Sequence, residues 1–209
     1  MSYLSVPGLL RTEKIGVPSI AGMFLEAAEH EEIDKITSWL SSSIERREGS
    51  PIQGKGVFAV VDIPKGTLVA IKQGRVVDER TILDNVSVIN GSHQQIGDNR
   101  FLAGLDAKEV DSNLVGYNHS CDPNAKIVIL EGFDLAFLVT REPVKTGEEL
   151  TTDYAVSWDS DTQYIEPCSC GSTQCRGVID PKQDWRNPAL QKRYAGEFPY
   201  YMQQKLDRL

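Results

Sequence analysis

Cys168-Ser-Cys170, followed by Cys175, makes a C-x-C-x4-C cluster, and the one other cysteine of the chain, Cys121, stands 47 residues before it. Three closely spaced thiols plus a fourth from far away is the pattern by which four thiolates close a tetrahedral zinc site, with sulfur about 2.3 Å from the metal. Four thiolates leave no open coordination position, so such an ion is structural rather than catalytic. Cys121 lies in Asn118-His119-Ser120-Cys121-Asp122-Pro123-Asn124, so one ion would tie the C-terminal part of the chain to this internal loop. That tie makes sense where the tail covers a pocket beside the loop. A thiol redox pair is the competing reading of the C-x-C step.

Composition narrows the field. With 209 residues, 40% hydrophobic and 25% charged, the chain is long enough for one well-buried core. No apolar run approaches the ~20 residues of a membrane span, and the first residues lack the basic start and apolar middle of a secretory signal. The expectation is an intracellular protein with reduced cysteines. The absence of a clustered Lys/Arg import run favours the cytoplasm, with the nucleus open. The net charge is -8, and residues 78–161 hold 16 acids against 6 bases. An acidic middle argues against nucleic acid as a direct ligand, because phosphate contacts need Lys and Arg. It favours a basic partner such as a lysine-containing protein or peptide.

The elements that must position these residues read as mainly β. From Gly22 to about Arg47 the apolar residues Phe24, Leu25, Ala28, Ile33, Ile36, Trp39, Leu40 and Ile44 roughly follow helical spacing, which predicts a helical N-terminal extension. From Gln53 onward short apolar runs alternate with turn signals such as Pro64-Lys65-Gly66. Strands are expected over 56–63, 67–71, 74–77, 86–89, 99–103, 126–130, 135–140 and 150–154. The tail from Asp184 is aromatic and basic and reads as a helical cap. The divisions are 1–50, an arm and helical extension; 51–160, the central domain; 161–180, the zinc segment; and 181–209, the helical tail.

Four pieces, in order, resemble the SET-domain family of protein-lysine methyltransferases. Gly54-Lys55-Gly56-Val57-Phe58-Ala59 with Asp62-Ile63-Pro64-Lys65-Gly66 resembles the opening of that domain, and Asn118 to Asn124 its central motif. Gly147-Glu148-Glu149-Leu150-Thr151-Thr152-Asp153-Tyr154 resembles its final motif, and the cysteine cluster its post-SET zinc segment. The resemblance covers residues 53 to about 179. It implies small β-sheets wound around a knot-like crossing where the central and final motifs meet. It also implies S-adenosylmethionine as methyl donor and a lysine in a basic protein, possibly a histone tail, as acceptor.

The same resemblance implies roles for single residues. Gly54, Lys55, Gly56, Asn118, His119 and Tyr154 would bind the methyl donor, and Tyr154 would also be catalytic. Cys121, Cys168, Cys170 and Cys175 would hold one structural zinc. Val178 and Ile179 are candidates for packing on adenine, and Trp158 for a pocket wall. A tight-turn glycine pair, a buried His119 and a core Tyr154 are the plain structural alternatives. Three departures stand out along the lysine channel. Lys72 replaces an aromatic, Val115-Gly116-Tyr117 stands where the family often carries Arg-Phe-Ile, with Tyr117 as a substitute aromatic, and Thr152 occupies the position that sets the degree of methylation. Threonine is smaller than the usual Phe or Tyr, which predicts a permissive product, up to di- or trimethyl-lysine. A SET-like zinc-containing binding module with weak or no catalysis is the alternative, motivated by Lys72 and by the missing arginine before Asn118.

Overall fold

The computed structural model describes residues 38–89, 91–112 and 116–209. Eleven short strands form three sheets among these residues. The first orders β1 (Trp39–Leu40), β4 (Leu68–Lys72), β10 (Ala136–Thr140) and β9 (Ala125–Val128). The second orders β2 (Ile44–Glu48), β3 (Lys55–Ala59), β11 (Glu149–Thr152) and β8 (Asn118–His119). The third orders β5 (Arg75–Val77), β7 (Arg100–Ala103) and β6 (Gln94–Gly97). Helices are few and short, so the mainly β expectation holds.

The inner strands are the ones that read as continuous apolar runs. Every residue of β4 and β10 is buried, as expected of strands covered on both faces. The edge strand β2, with sequence IERRE, is exposed except at Ile44 and the half-buried Arg46. Most pairings are antiparallel, but β8 and β11 run parallel, with Thr151 opposite Asn118 and Thr152 opposite His119. That pairing joins the central and final motifs side by side. The main core gathers beneath it, from Val57, Leu150, Tyr154 and Trp158 to Trp185 and Tyr201 of the tail.

Three expectations are corrected. Of the predicted N-terminal helix, residues 22–37 lie outside the described residues. The remainder forms β1 and β2, because Trp39 registers with Ile71 and Ile44 with Ala59. The run 86–89 is not a strand but a helical turn, α2 (Val86–Ile89), following α1 (Glu79–Asp84). Asp78 caps α1 by accepting from the Thr81 N–H at 2.8 Å, and the Asn85 carbonyl accepts from the amides of Val88 and Ile89. Ile82 and Ile89, seven residues apart, are buried on one face, whereas Val86 and Val88 are exposed. Finally, Asn99 is not in a strand: at φ 49° it shapes the turn between β6 and β7.

The tail is helical as expected. Short α3 (Ala107–Ser112) and α4 (Tyr154–Ser157) precede it in the chain, and α5 (Pro181–Asp184), α6 (Pro188–Arg193) and α7 (Tyr200–Leu206) form it. Its Trp185, Tyr194, Phe198 and Tyr201 are buried against the core. No helix among the described residues is long and apolar enough to cross a membrane.

Candidate active site

Tyr154 opens α4 at the point where β11 ends. Its N–H donates to His119 Nδ1 at 3.2 Å, and its hydroxyl donates to the Tyr117 carbonyl at 3.0 Å. The Tyr154 and His119 rings meet edge to face with centroids 5.2 Å apart. Burial pushes the Tyr154 hydroxyl well above the ordinary phenol range, and the Glu149 carboxylate adds to the effect. The group is therefore a phenol at neutral pH, a donor and not a base.

His119 is buried, and burial lowers its pKa to about 4, so the ring is neutral at pH 7. With Nδ1 accepting from Tyr154, Nε2 carries the proton and points at Cys121 Sγ, 3.3 Å away. Asn118, its neighbour on β8, holds the Gly54 loop. Its Nδ2 lies 2.7 Å from Glu149 Oε1, 3.0 Å from Ser50 Oγ, 3.0 Å from the Gln53 carbonyl and 2.9 Å from the Lys55 carbonyl. The Lys55 main chain is thus part of the site, whereas its ammonium pairs with Glu48 at 2.9 Å on the surface.

The two glycines differ in purpose. Gly54, at φ 49°, adopts a left-handed conformation, and its carbonyl accepts from the amides of Gly49 and Ser50. Gly56 has no room for a side chain: a Cβ would stand 2.3 Å from Glu149 Oε1 and 2.9 Å from Phe58 Cε2.

The four cysteines are free thiols whose sulfurs all lie within 4.8 Å of one another. A tetrahedron with metal–sulfur bonds of about 2.3 Å has edges of about 3.8 Å, so one ion fits the donor set with small movements. Cys121 is buried while Cys175 is exposed. The Arg176 amide also donates to Cys121 Sγ at 3.3 Å. The pattern thus brings the C-terminal segment onto the loop that holds Asn118 and His119.

Other sequence candidates fall around this centre. Thr152 is buried, with Oγ1 lacking a hydrogen-bond partner among the described residues. Tyr117 is buried and its hydroxyl bonds Gln94 Oε1. Lys72 is buried at the end of β4 and its Nζ donates to the Ser92 carbonyl. Trp158 is a core residue, T-shaped against His93 and 6.1 Å from the Tyr154 ring. Ile179 is fully buried and bridges Ile165, whereas Val178 is exposed, so only Val178 presents its side chain outward.

Sequence reasoning missed Ser50, Glu149, Asp153 and Arg176. Glu149 reads in the sequence as punctuation after Gly147, yet it accepts from both Ser50 and Asn118. The Asp153 carboxylate, next to Tyr154, is buried and accepts from both Arg176 Nη atoms at 2.7 Å. Within Leu150–Tyr154 Asp153 is the single charged residue, and that is the signal that could have marked it.

Comparison with known proteins gives a consistent picture. A family model described as the SET domain matches residues 54–155. Histone-lysine N-methyltransferase ash1 of Drosophila melanogaster is 31% identical over 154 residues, which is 69% of this chain and 7% of the relative. A histone-lysine N-methyltransferase, H3 lysine-4 specific, of Cryptococcus neoformans var. neoformans serotype D (strain B-3501A) is 33% identical over 63% of this chain and 9% of its own length. Human histone-lysine N-methyltransferase 2D is 30% identical over 61% of this chain and 2% of its own length. The chain therefore spans less than a tenth of each of these relatives.

Proposed function

The chain is a SET-domain protein homologous to histone-lysine methyltransferases, and from that premise we propose that it transfers methyl groups from S-adenosylmethionine to the side-chain amine of lysine in a basic protein. The observation that carries this reading is the hydroxyl of Tyr154 held 3.0 Å from the Tyr117 carbonyl, beside the paired strands β8 and β11. Two electron-rich oxygens at one point suit a methyl group bearing positive charge from a sulfonium.

S-Adenosylmethionine, when bound, supplies that activated methyl. Gly54, Lys55, Gly56, Asn118, His119 and Tyr154 would hold it. The acceptor lysine has an ordinary pKa of about 10.4 and must lose its proton before it reacts. Tyr154 does not take that proton, because burial keeps it protonated. Desolvation of the ammonium drives the proton to water instead. The neutral amine would then accept the methyl that the bound donor supplies, the donor leaving as the neutral thioether. Tyr154 and the Tyr117 carbonyl orient the reacting groups end to end, from which much of the rate comes. One structural zinc at Cys121, Cys168, Cys170 and Cys175 would hold the post-SET segment in place.

Histones are the acceptors named for the relatives, and a histone acceptor would place the chain in the nucleus rather than the cytoplasm. The acidic stretch of residues 78–161 supports a basic acceptor. A second reading, a binding module without catalysis, is favoured by Lys72, which is buried where the family carries an aromatic channel wall.

The test is transfer of labelled methyl groups to purified histones and other lysine-rich proteins, with products read by mass. Wild type is expected to label lysine, and Tyr154→Phe to lower kcat on the order of 10²-fold through lost orientation. Di- or trimethyl-lysine is expected because Thr152 is small. Donor binding without any transfer would select the binding module, and monomethyl-lysine alone under excess donor would overturn the role given to Thr152.

A further inference from the structure

We propose that Arg176 is a positioning residue for Tyr154: its two-pronged pair with buried Asp153 is a second tie, separate from the cysteine cluster, that fixes the turn carrying Tyr154 beneath the C-terminal segment. The kinetic part rests on the methyltransferase reading above.

Four donors converge on the Asp153 carboxylate. The Ala155 amide donates to Oδ1 at 3.0 Å and so caps α4. Arg176 Nη2 and Nη1 donate to Oδ1 and Oδ2, each at 2.7 Å, and the Tyr194 hydroxyl donates to Oδ2 at 2.9 Å. The side chain of Asp153 is 0% exposed. A buried carboxylate is tolerated only when its lone pairs are satisfied in this way. Although burial alone would raise it, the Asp153 carboxyl is held below its usual range by the Arg176 guanidinium.

Arg176 reaches in three directions. Its amide donates to Cys121 Sγ, its Nε donates to Asp184 at 3.2 Å, and its Nη atoms hold Asp153. The residue thus meets the cluster through its main chain, and its side chain joins the first tail helix to the cap of the Tyr154 turn. The cysteine cluster approaches Tyr154 by another route, through the His119 ring. The guanidinium fork is what matches both carboxylate oxygens, and lysine cannot reproduce it. Loss of the fork lets α4 rotate on its cap, and with it the hydroxyl that meets the Tyr117 carbonyl.

Arg176→Lys and Tyr194→Phe, both prepared with metal bound, test this. The readouts are metal per chain, kcat and KM, and amide hydrogen exchange of Tyr154–Ser157 against β10. For Arg176→Lys the expected result is one metal per chain and a kcat lower by about ten- to a hundredfold, with the acceptor KM within about threefold. Exchange should be faster in the α4 turn and unchanged in β10. Tyr194→Phe, which removes one donor of four, should lose less than Arg176→Lys. Wild-type kcat in Arg176→Lys, metal lost in step with activity, or exchange raised equally in β10 would each overturn the proposal. Should wild type transfer no methyl group, the activity reading fails, while exchange and metal retention still decide whether the tie exists.

Discussion

Lys72 shows how one residue can carry a cost that its position in the sequence does not announce. It replaces an aromatic by resemblance, but only the pairing of β4 with β10, where Ala136 registers with Lys72, shows that its amine is buried. Burial lowers its pKa from 10.5 to about 7, and the Arg46 charge acts in the same direction. The unfolded chain restores the ordinary value. Between about pH 7 and 10.5 the unfolded state therefore binds the extra proton, and stability rises with pH across that window. Below pH 7 the full cost of burying an ammonium is felt. Lys72→Met is expected to raise stability at pH 7 by about 1–3 kcal/mol, after loss of the hydrogen bond to Ser92. It should also flatten the rise toward pH 10. Urea unfolding at pH 7 and 9.5 checks both. A variant less stable than wild type at both values would show that the amine is worth more as a donor than it costs as a charge. His93 adds an acid limb: burial lowers it to about 3, and both ring nitrogens lack partners among the described residues. That contribution is lost as pH falls from about 6.5 toward 3.

Gly56 leaves the room that the Glu149 carboxylate of β11 occupies, since a Cβ on β3 there would run into its Oε1. Gly56→Ala is expected to push the carboxylate off Asn118 and Ser50 and to lower stability by about 1–3 kcal/mol, as overpacking does. Glu149→Ala in the same background should return part of that loss. Denaturant midpoints of the single and double variants check it, and an unchanged midpoint in Gly56→Ala would remove the steric argument. Elements of this kind were legible where apolar runs meet turn signals, as in β3, β4 and β10. They were not legible where tertiary pairing overrides the local pattern. β6 has only one large apolar residue, Ile96, yet Gln94 and Gln95 are buried because their amides donate to the carbonyls of Gln95 and Gly97. The helical spacing from Trp39 to Ile44 likewise yields to strand partners far along the chain. In the site, motif spacing marked His119, Tyr154 and the four thiols. Arg176 followed a cysteine as an unremarked basic residue, because its partner is 23 positions away.

At the scale of the molecule, the buried tail packs the C-terminal segment onto the central and final motifs, where the four cysteines meet. Arg193 of α6 donates to the Cys121 carbonyl at 2.9 Å, and the Tyr201 hydroxyl donates to the Ser157 carbonyl at 2.6 Å. Stripping the metal with a chelator, or Cys175→Ser, is expected to lower Tm by roughly 10 °C, the shift of a loss near 3 kcal/mol in a chain of this size. Residues 161–180 should then become the first site of protease cleavage. Thermal scans and the mapped cleavage point check it, and a Tm unmoved by chelation would mean that no ion supports the segment.

The parallel pairing of β8 with β11 also has a meaning for biosynthesis. Asn118 and Thr151 are 33 positions apart, and the carboxylate next to Tyr154 waits for donors as distant as Arg176 and Tyr194. A chain growing on the ribosome cannot complete the donor set of Asp153 until Tyr194 has emerged, since these contacts are long-range rather than local. Half-made copies thus lack the donors that close around Asp153 beside Tyr154.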